Sequence, residues 1–442
     1  MKMNKKFILG MAIALLAIVG YAVINEFVMH RPSYRTMSLE PDRGLILDCN
    51  GNVLVANETV YDIHVDFMVV DDDTLFRLKS RELADEIVHF LPNRSADEWY
   101  IFFQENRKKG MRYVKLVNNV PLGLKESICS LPLLRDGKWK GGCIVSAQHI
   151  RQYPYGVLAR RTLGYHKAYG SIGIDGKYHD LLAGTPGSVT VARVKRFGRL
   201  HTWEKERVEA VNGENITLTI DIGMQAKADS AYRQYIANLQ DFQGGCLVIM
   251  EISTGAIKAM VNLDKDADGN ITERFNYAIA MCYYPGAVLS PFIPWTKGSS
   301  EKYRSLFLPD SLDFDIDGLS ASYVPDFPFD MSGGNNGPCV MVSPLSILSA
   351  YNTVMNNGTM LKPHLIIRPD GRQILGDQLF SAQDAEAIKP AIRQAMGYSR
   401  KKQDNVGQGY EYYRTYAGYY PHDTPQYTYI MLTCTGKGNM YL

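Results

Sequence analysis

The feature that most restricts the fold of this chain is an uncharged segment near its start. Residues 7–24 form a run of eighteen residues without Asp, Glu, Lys or Arg, and Lys2, Lys5 and Lys6 precede it. An α-helix rises about 1.5 Å per residue, so the run spans roughly 27 Å, close to the thickness of a bilayer core. We therefore predict a transmembrane anchor over 7–24, after a cytoplasmic tail over 1–6.

A cleaved signal peptide is the alternative for the same segment, because Gly20-Tyr21-Ala22 has the small-x-small pattern of a cleavage site. The apolar run is longer than a usual signal core, and this site falls inside it, so we favour an uncleaved anchor. The lysines before the run, with none soon after it, predict a cytoplasmic N-terminus. The bulk of the chain is then expected on the periplasmic side of the inner membrane.

Composition indicates an ordinary globular protein beyond this segment. The 442 residues allow two or three domains, and 46% hydrophobic with 21% charged residues is typical of folded chains. A net charge of +2 suggests no nucleic-acid partner. The seven cysteines are scattered, odd in number and without CxxC spacing, which favours isolated buried thiols over a metal site or a disulfide framework.

A hairpin is predicted soon after the anchor. Asn50-Gly51 stands between apolar residues that alternate along the chain, in the stretch that begins with Arg43-Gly44. Such a pair favours a type I′ turn, in which both central residues have positive φ. Residues 71–107 then show helical spacing with many charges, which predicts a solvated helical insert.

Further along, glycine-rich stretches predict loops and turns. One is Arg151-Gln152-Tyr153-Pro154-Tyr155-Gly156, and another runs over 170–187 and contains Asp175. Glycine supplies positive φ or close backbone approach in such loops. We expect these residues to hold the domain together and not to bind a ligand.

A second domain is predicted to open with regular elements. Residues 215–221 alternate and are β-branched like a strand, and a helix is expected near 225–239. Two apolar runs around Ser253-Thr254-Gly255 predict a hairpin. Together with the first domain, this pattern predicts an α+β fold whose second domain has an antiparallel sheet flanked by helices.

One stretch in this second domain carries a resemblance to a known family. Residues 284–292 read Tyr-Pro-Gly-Ala-Val-Leu-Ser-Pro-Phe. The segment resembles the Pro-Gly-Ser-x-x-Lys-Pro-Phe segment of the penicillin-binding transpeptidases, including Pro285 and Gly286. Ala287 stands where that family has its nucleophilic serine, and Ser290 stands where it has the activating lysine. The resemblance implies that the frame is kept while the reactive pair is lost.

The other stretches resemble the class B penicillin-binding proteins in the order that this family requires. The Arg43–Gly51 stretch resembles the opening of its pedestal domain, and Arg151–Gly156 and 170–187 resemble its later pedestal motifs, with Asp175 in place of a glutamate. Residues 342–363 and 416–427 resemble motifs of its transpeptidase domain. The resemblance covers nearly nine-tenths of the chain and implies a pedestal over 40–210 and a transpeptidase-like head over 211–442. It also implies a head that is incomplete at its C-terminal end.

The family uses two further catalytic clusters, and the chain has neither. No Ser-x-Asn and no Lys-Ser/Thr-Gly occurs in the sequence. At the place expected for the second of these, the chain reads Val406-Gly407-Gln408-Gly409, which keeps glycines but has no lysine and no hydroxyl. The resemblance therefore implies a degenerate member without catalytic residues.

Two other Ser-x-x-Lys patterns could in principle hold a relocated nucleophile. They begin at Ser299 and Ser399, and they end at Lys302 and Lys402. Neither follows a Pro-Gly at a helix start, and neither has the supporting clusters, so we interpret both as chance matches.

Two functional hypotheses follow from these observations. The first is a membrane-anchored, non-catalytic homologue that acts as a scaffold or regulator in peptidoglycan synthesis and cell division. Its implied partner is a SEDS-type glycan polymerase or another divisome or elongasome protein. The second is an active D,D-transpeptidase or carboxypeptidase with a relocated nucleophile. We expect no cofactor and no metal, and the missing lysine speaks against binding of a peptidoglycan stem peptide or a β-lactam.

Overall fold

The computed structural model describes residues 13–21, 23–24, 31–196, 199–239, 241–296, 299–325, 340–369, 371–402 and 410–436. Contacts within the chain separate two compact units, one formed by residues 1–54 and 155–442 and the other by residues 55–154. The predicted boundary between pedestal and head near residue 211 stays a prediction.

Strands and helices are mixed along the described chain. The strands are β1 (Ser33–Leu39), β2 (Ile46–Leu47), β3 (Val53–Val65), β4 (Val114–Val120), β5 (Cys143–Gln152), β6 (Tyr165–Lys167), β7 (Gly170–Ile172), β8 (Gly187–Arg196), β9 (Arg199–Val208), β10 (Ile216–Thr217), β11 (Phe242–Glu251), β12 (Ile257–Lys265), β13 (Ile271–Thr272), β14 (Met360–Leu361), β15 (Ile374–Gly376), β16 (Gln394–Lys402), β17 (Tyr410–Tyr420) and β18 (Tyr427–Thr435). The helices are Asp73–Ile87, Ala96–Lys108, Leu122–Cys129, Gly137–Lys140, Arg160–Leu163, Gly173–Lys177, His179–Ala183, Ile222–Ile236, Tyr277–Ala280, Ile293–Thr296, Ser300–Ser305, Pro344–Met355 and Ala382–Ile388, with 3₁₀ turns at Leu134–Asp136 and Gly286–Phe292. This mixture confirms the predicted α+β class.

The unit of residues 55–154 packs two helices and the antiparallel strands β3, β4 and β5 around one core. β3 pairs with β4 on one side and with β5 on the other. Asp72 caps the helix Asp73–Ile87, and Ser95 with Glu98 forms a capping box at the start of Ala96–Lys108. Each helix also has a buried apolar face, with Phe76 on the first and Phe103 on the second. The helical prediction over 71–107 is confirmed, but these helices contribute to a core and are not only a solvated insert.

A six-stranded antiparallel sheet dominates the other unit, in the order β13-β12-β11-β18-β17-β16. The helix Ile222–Ile236 packs Ala228, Tyr232 and Ile236 against β11 and β12. The helix Pro344–Met355 is buried over nearly its whole length and contacts β11 and β18. An apolar helix without a polar face is stable only when it is enclosed in this way. The strand–helix–hairpin order predicted for residues 215–261 is confirmed.

Three other strands of this unit form a smaller sheet. β1, β8 and β9 make a three-stranded antiparallel sheet in the order β1-β8-β9. The residues of β9 over 200–208 are all exposed, including Trp203. Among the described residues, β9 pairs with β8 on one side and is an edge strand of this sheet.

The turn after β2 differs from the predicted type. Gly51 has a positive φ of 84°, but Asn50 does not have a positive φ. The Asp48 carboxylate accepts hydrogen bonds from the backbone N–H groups of Asn50 and Asn52, both at 2.8 Å. The Gly51 N–H donates to the Asp48 carbonyl at 3.1 Å. The type I′ prediction is therefore wrong, because the Asp48 side chain organises a different turn in which only Gly51 needs the left-handed region.

The predicted tail over 1–6 and part of the predicted anchor, residues 7–12 and 22, lie outside the described residues. Residues 13–21 and 23–24 are helical. Within the described residues, no helix is both long enough and apolar enough to cross a bilayer. The transmembrane anchor over 7–24 stays a prediction.

Candidate active site

The segment Gly286–Phe292 is a 3₁₀ helix that begins after Pro285. Gly286 has a φ of 67°, which a residue with a side chain rarely adopts. Side chains at positions i and i+3 of a 3₁₀ helix eclipse one another, so Ala287 and Ser290 share one face. The backbone thus keeps the geometry in which a serine and a lysine could meet, but a methyl group and a hydroxyl occupy these positions.

Buried contacts hold this segment firmly. Val288, Leu289 and Phe292 are completely buried. The Tyr351 hydroxyl, on the helix Pro344–Met355, donates a 2.7 Å hydrogen bond to the Val288 carbonyl. The Phe292 ring packs against the Tyr351 ring at 5.8 Å between centroids. Packing against the helix Pro344–Met355 therefore positions this segment.

The edge strand β16 borders the segment. A Cβ added to Gly397 would lie 2.1 Å from the Pro285 carbonyl oxygen and 3.3 Å from the Ala287 nitrogen. Only glycine permits this approach between β16 and the start of the 3₁₀ helix. The predicted degenerate motif Val406, Gly407, Gln408 and Gly409 lies outside the described residues.

The described surroundings of Ala287 supply no activated nucleophile. The Ser290 hydroxyl is half-buried and has no hydrogen-bond partner within the part of the chain that the structure describes. Nearby, the Tyr283 hydroxyl shares a 2.8 Å hydrogen bond with Thr415, and burial raises the pKa of Tyr283 well above its usual value. Burial also raises the pKa of Tyr351. Both phenols therefore stay protonated at neutral pH and cannot act as a base.

The two alternative Ser-x-x-Lys patterns lie at the start of a short helix and on a strand. The Ser299 hydroxyl caps the helix Ser300–Ser305 and accepts a hydrogen bond from the Lys302 backbone N–H at 3.3 Å. The Lys302 ammonium donates instead to the Trp295 carbonyl at 3.4 Å and lies over the indole ring. The pattern 399–402 lies on the strand β16 and not at the start of a helix.

The predicted structural residues of the first domain lie in a tight internal network. Arg43 donates to the buried Asp175 carboxylate at 3.0 Å and contacts the His179 Nδ1 atom at 2.8 Å. The His179 ring stacks on His166 with 3.5 Å between centroids. A Cβ on Gly44 would lie 1.9 Å from the Glu214 carbonyl oxygen. These contacts support the prediction that Arg43, Gly44 and Asp175 have a structural role.

The second predicted stretch also has a structural environment. Arg151 donates a 3.0 Å hydrogen bond to the Asn57 side chain. Tyr153 and Pro154 follow directly after β5, and Gly156 has a φ of 62° in the turn that comes next. That this stretch does not bind a ligand stays a prediction.

The sequence analysis did not identify two buried carboxylates in the unit of residues 1–54 and 155–442, those of Asp315 and Glu273. The Asp315 side chain is completely buried and pairs with Arg368. Its Oδ2 atom accepts hydrogen bonds from the backbone N–H groups of Leu365 and Ile366 at 2.7 and 3.1 Å. Burial raises the pKa of Glu273 to about 8, and its Oε2 atom accepts from the Arg161 N–H at 2.9 Å. The residues next to Asp315 and Glu273 in the sequence give no sign that these two carboxylates are buried.

The His179 contacts predict a dependence of stability on pH. Burial, together with Arg43 and His166, lowers the pKa of His179 below its usual value of about 6.5, while Asp180 and Asp175 partly oppose the shift. Below pH 6.5, His179 binds a proton more readily in the unfolded state than in the folded state. The contribution of neutral His179 to stability is therefore present above pH 6.5 and is lost as the pH falls through the lower pKa of the folded state. We expect the melting temperature of the His179→Gln variant to fall less than that of the wild type between pH 7 and pH 5. Parallel curves for the two proteins would contradict this assignment.

Comparison with known proteins places the chain in a family. The family model described as "Penicillin-binding Protein dimerisation domain" matches residues 38–218, and the one described as "Penicillin binding protein transpeptidase domain" matches residues 310–441. The first match covers Arg43 and Asp175, and the second begins after the 3₁₀ segment. The chain belongs to the class B penicillin-binding proteins.

Relatives of known name agree with this assignment. The chain is 26% identical over 290 residues to the peptidoglycan D,D-transpeptidase MrdA of Salmonella typhimurium, covering 58% of this chain and 42% of that protein. It is 32% identical over 117 residues to penicillin-binding protein PbpB of Mycobacterium tuberculosis, covering 26% of this chain and 17% of that protein. The alignments therefore span less than half the length of these relatives.

Solved structures show the same fold at lower identity. Penicillin-binding protein 2X of Streptococcus thermophilus superposes with a TM-score of 0.64 at 17% identity, covering 92% of this chain and 78% of that one. The complex between PBP2 and MreC from Helicobacter pylori contains a chain that superposes with a TM-score of 0.62 at 16% identity, covering 91% and 95%. The predicted membership of the family is confirmed.

Proposed function

We propose that this class B penicillin-binding protein is catalytically inactive and serves as a scaffold or regulator of peptidoglycan synthesis. The observation that carries the proposal is Ala287 on the 3₁₀ helix, at the position of the family's nucleophile. A methyl group cannot form an acyl-enzyme. In other serine hydrolases, loss of the activated serine lowers turnover by about 10⁶.

The strand beside this segment supports the same conclusion. Gly397 on β16 lies against Pro285 and Ala287. We assign Ala395-Met396-Gly397 to the place of the family's Lys-Ser/Thr-Gly, because β16 is the edge strand that borders the nucleophile segment. Ala395 and Met396 supply neither the cation nor the hydroxyl that would receive a substrate carboxylate. The earlier location at residues 406–409 lies outside the described residues and stays a prediction.

The proposed partner is another protein of the wall-synthesis machinery. The neighbour from Helicobacter pylori was solved in complex with MreC, and the Salmonella relative is named a peptidoglycan D,D-transpeptidase. A divisome or elongasome protein, such as a SEDS-type glycan polymerase, is the class of partner that the pedestal would contact. Within the described part of the chain, β9 is an edge strand with exposed residues over 200–208, which suits such a contact. An anchor over 7–24 would place the assembly at the inner membrane with its bulk in the periplasm.

Covalent labelling tests the proposed inactivity. We expect no penicilloyl adduct by intact mass when the full-length chain is incubated with a fluorescent penicillin, while an active class B penicillin-binding protein is labelled in the same mixture. The double variant Ala287→Ser/Ser290→Lys should also stay unlabelled, because the lysine and hydroxyl of the third cluster are still missing.

Each possible adduct has a defined meaning. A penicilloyl adduct on the unmodified chain would overturn the proposal, and its position in a peptide map would identify the relocated nucleophile. An adduct on the double variant alone would leave the native chain inactive but would show that the Lys-Ser/Thr-Gly cluster is dispensable here.

A further inference from the structure

Two cysteines that are distant in the sequence lie in contact in the unit of residues 55–154. The Sγ atoms of Cys129 and Cys143 are 3.6 Å apart. Cys129 is the last residue of the helix Leu122–Cys129, and Cys143 is the first residue of β5. Cys143 is buried and Cys129 is half-buried, so a reagent reaches the pair through Cys129.

Both cysteines are held by rigid elements. Cys143 pairs with Val65 in the ladder between β3 and β5. Directly before it, Gly142 has a φ of 72°, and its carbonyl accepts a 2.8 Å hydrogen bond from the Asp66 N–H. Cys129 packs against the core cluster that contains Cys143. The contact between the two sulfur atoms is therefore built into the fold and does not depend on a mobile loop.

We propose that Cys129 and Cys143 form a reversible disulfide that closes the segment between the helix Leu122–Cys129 and β5. The two thiols together lose two protons and two electrons, and a disulfide donor such as oxidised glutathione is reduced to two thiols. This modification goes beyond the proposed scaffold function and does not depend on it.

The chemical roles of the two sulfur atoms differ. The hydrogen bond from Cys143 lowers the pKa of Cys129 to about 7, and the Lys125 ammonium contributes in the same direction. Cys129 is thus the thiolate that attacks the donor disulfide, whose S–S bond breaks with release of one thiolate. The same hydrogen bond and burial raise the pKa of Cys143. Cys143 then gives up its proton, attacks the Cys129 sulfur of the mixed disulfide and expels the second thiolate.

Closing this loop should stabilise the unit. Thirteen residues lie between the two cysteines, including Leu133, which adopts a positive φ of 70°. A cross-link over a loop of this size restricts the unfolded chain. We expect the oxidised protein to melt about 10 °C above the reduced protein.

The test uses the full-length chain with oxidised glutathione under native conditions, followed by alkylation, intact mass measurement and non-reducing peptide mapping. We expect the loss of two hydrogen atoms, a linked pair of peptides that contain Cys129 and Cys143, and complete reversal by dithiothreitol. Alkylation of Cys129 in the reduced protein should reach its half-maximal rate at a lower pH than alkylation of an unperturbed thiol.

Variants separate the roles of the two residues. Cys143→Ser should stop at a single glutathionyl group on Cys129, and Cys129→Ser should remove the link without that adduct. Cys282→Ser is the matched control and should keep the link, because Cys282 donates its thiol hydrogen bond to the Ala321 carbonyl. Absence of the link in the wild type after glutathione treatment, or a link between other cysteines, would overturn the proposal. Equal melting temperatures of the linked and reduced forms would overturn its stabilising role.

Discussion

Asp315→Ala is expected to lower the free energy of unfolding by about 3–5 kcal/mol. The wild-type carboxylate is completely buried and pairs with Arg368. It also accepts hydrogen bonds from the backbone N–H groups of Leu365 and Ile366. Removing it leaves the Arg368 guanidinium, which is 28% exposed, and the backbone N–H groups of the buried Leu365 and the half-buried Ile366 without this acceptor. The loss is costly because burial limits how far water can replace the carboxylate.

Urea denaturation followed by tryptophan fluorescence measures this loss, and Asp313→Ala is the matched control. The Asp313 carboxylate pairs with Lys177, but its side chain is 80% exposed. Exposed pairs contribute about 0–1 kcal/mol, so the control should stay close to the wild type. Similar midpoints for the two variants would show that the Asp315 network is not a stabilising element.

The sequence around Asp315 shows why such a residue is hard to predict. Asp313, Asp315 and Asp317 alternate along one stretch and are chemically identical. Only Asp315 is buried, because the backbone of residues 365–366 and the Arg368 side chain approach it from a distant part of the chain. A property that depends on contacts across fifty residues leaves no local signal.

Local signals predicted the elements that depend on local chemistry. The strand near residue 216, the following helix and the hairpin around Gly255 were predicted because alternation, apolar spacing and a turn glycine occur together. The helix at Pro344 begins where Ser343 supplies a cap and proline occupies the first turn. In each case the residues that determine the element lie within it.

Predictions failed where a side chain from outside the pattern decides the geometry. The Asn50-Gly51 pair favoured a type I′ turn, but the Asp48 carboxylate binds the turn's backbone and selects another. The contact between Cys129 and Cys143 brings together thiols that sequence spacing had assigned to isolated positions. Topology was also needed to identify β16 as the strand that borders Ala287.

In the candidate site, the residues that fix the backbone are different from those at the family's catalytic positions. Gly286 and Gly397 keep the backbone geometry that the segment requires, and the Tyr351 hydroxyl holds the Val288 carbonyl. The serine and lysine positions carry Ala287 and Ser290, which the backbone does not constrain. This combination is what the proposed inactive scaffold requires, because it needs the fold and not the reaction.

Gly397→Ala tests how tightly this frame is built and is expected to lower the free energy of unfolding by about 2–4 kcal/mol. The added Cβ would lie 2.1 Å from the Pro285 carbonyl oxygen and 3.0 Å from the Val288 nitrogen. Backbone atoms cannot rotate away as a side chain can, so β16 and the 3₁₀ segment must move apart. Thermal and urea denaturation of the variant measure the cost.

Gly376→Ala is the control for the change in residue type. A Cβ at this position would meet only the Leu379 side chain, at 3.5 Å, which is an ordinary van der Waals contact. Alanine restricts the unfolded chain more than glycine does, so this variant should be as stable as the wild type or slightly more stable. If Gly397→Ala behaved in the same way, β16 could not lie against Ala287 as described, and the assignment of Ala395-Met396-Gly397 to the third catalytic cluster would fail with it.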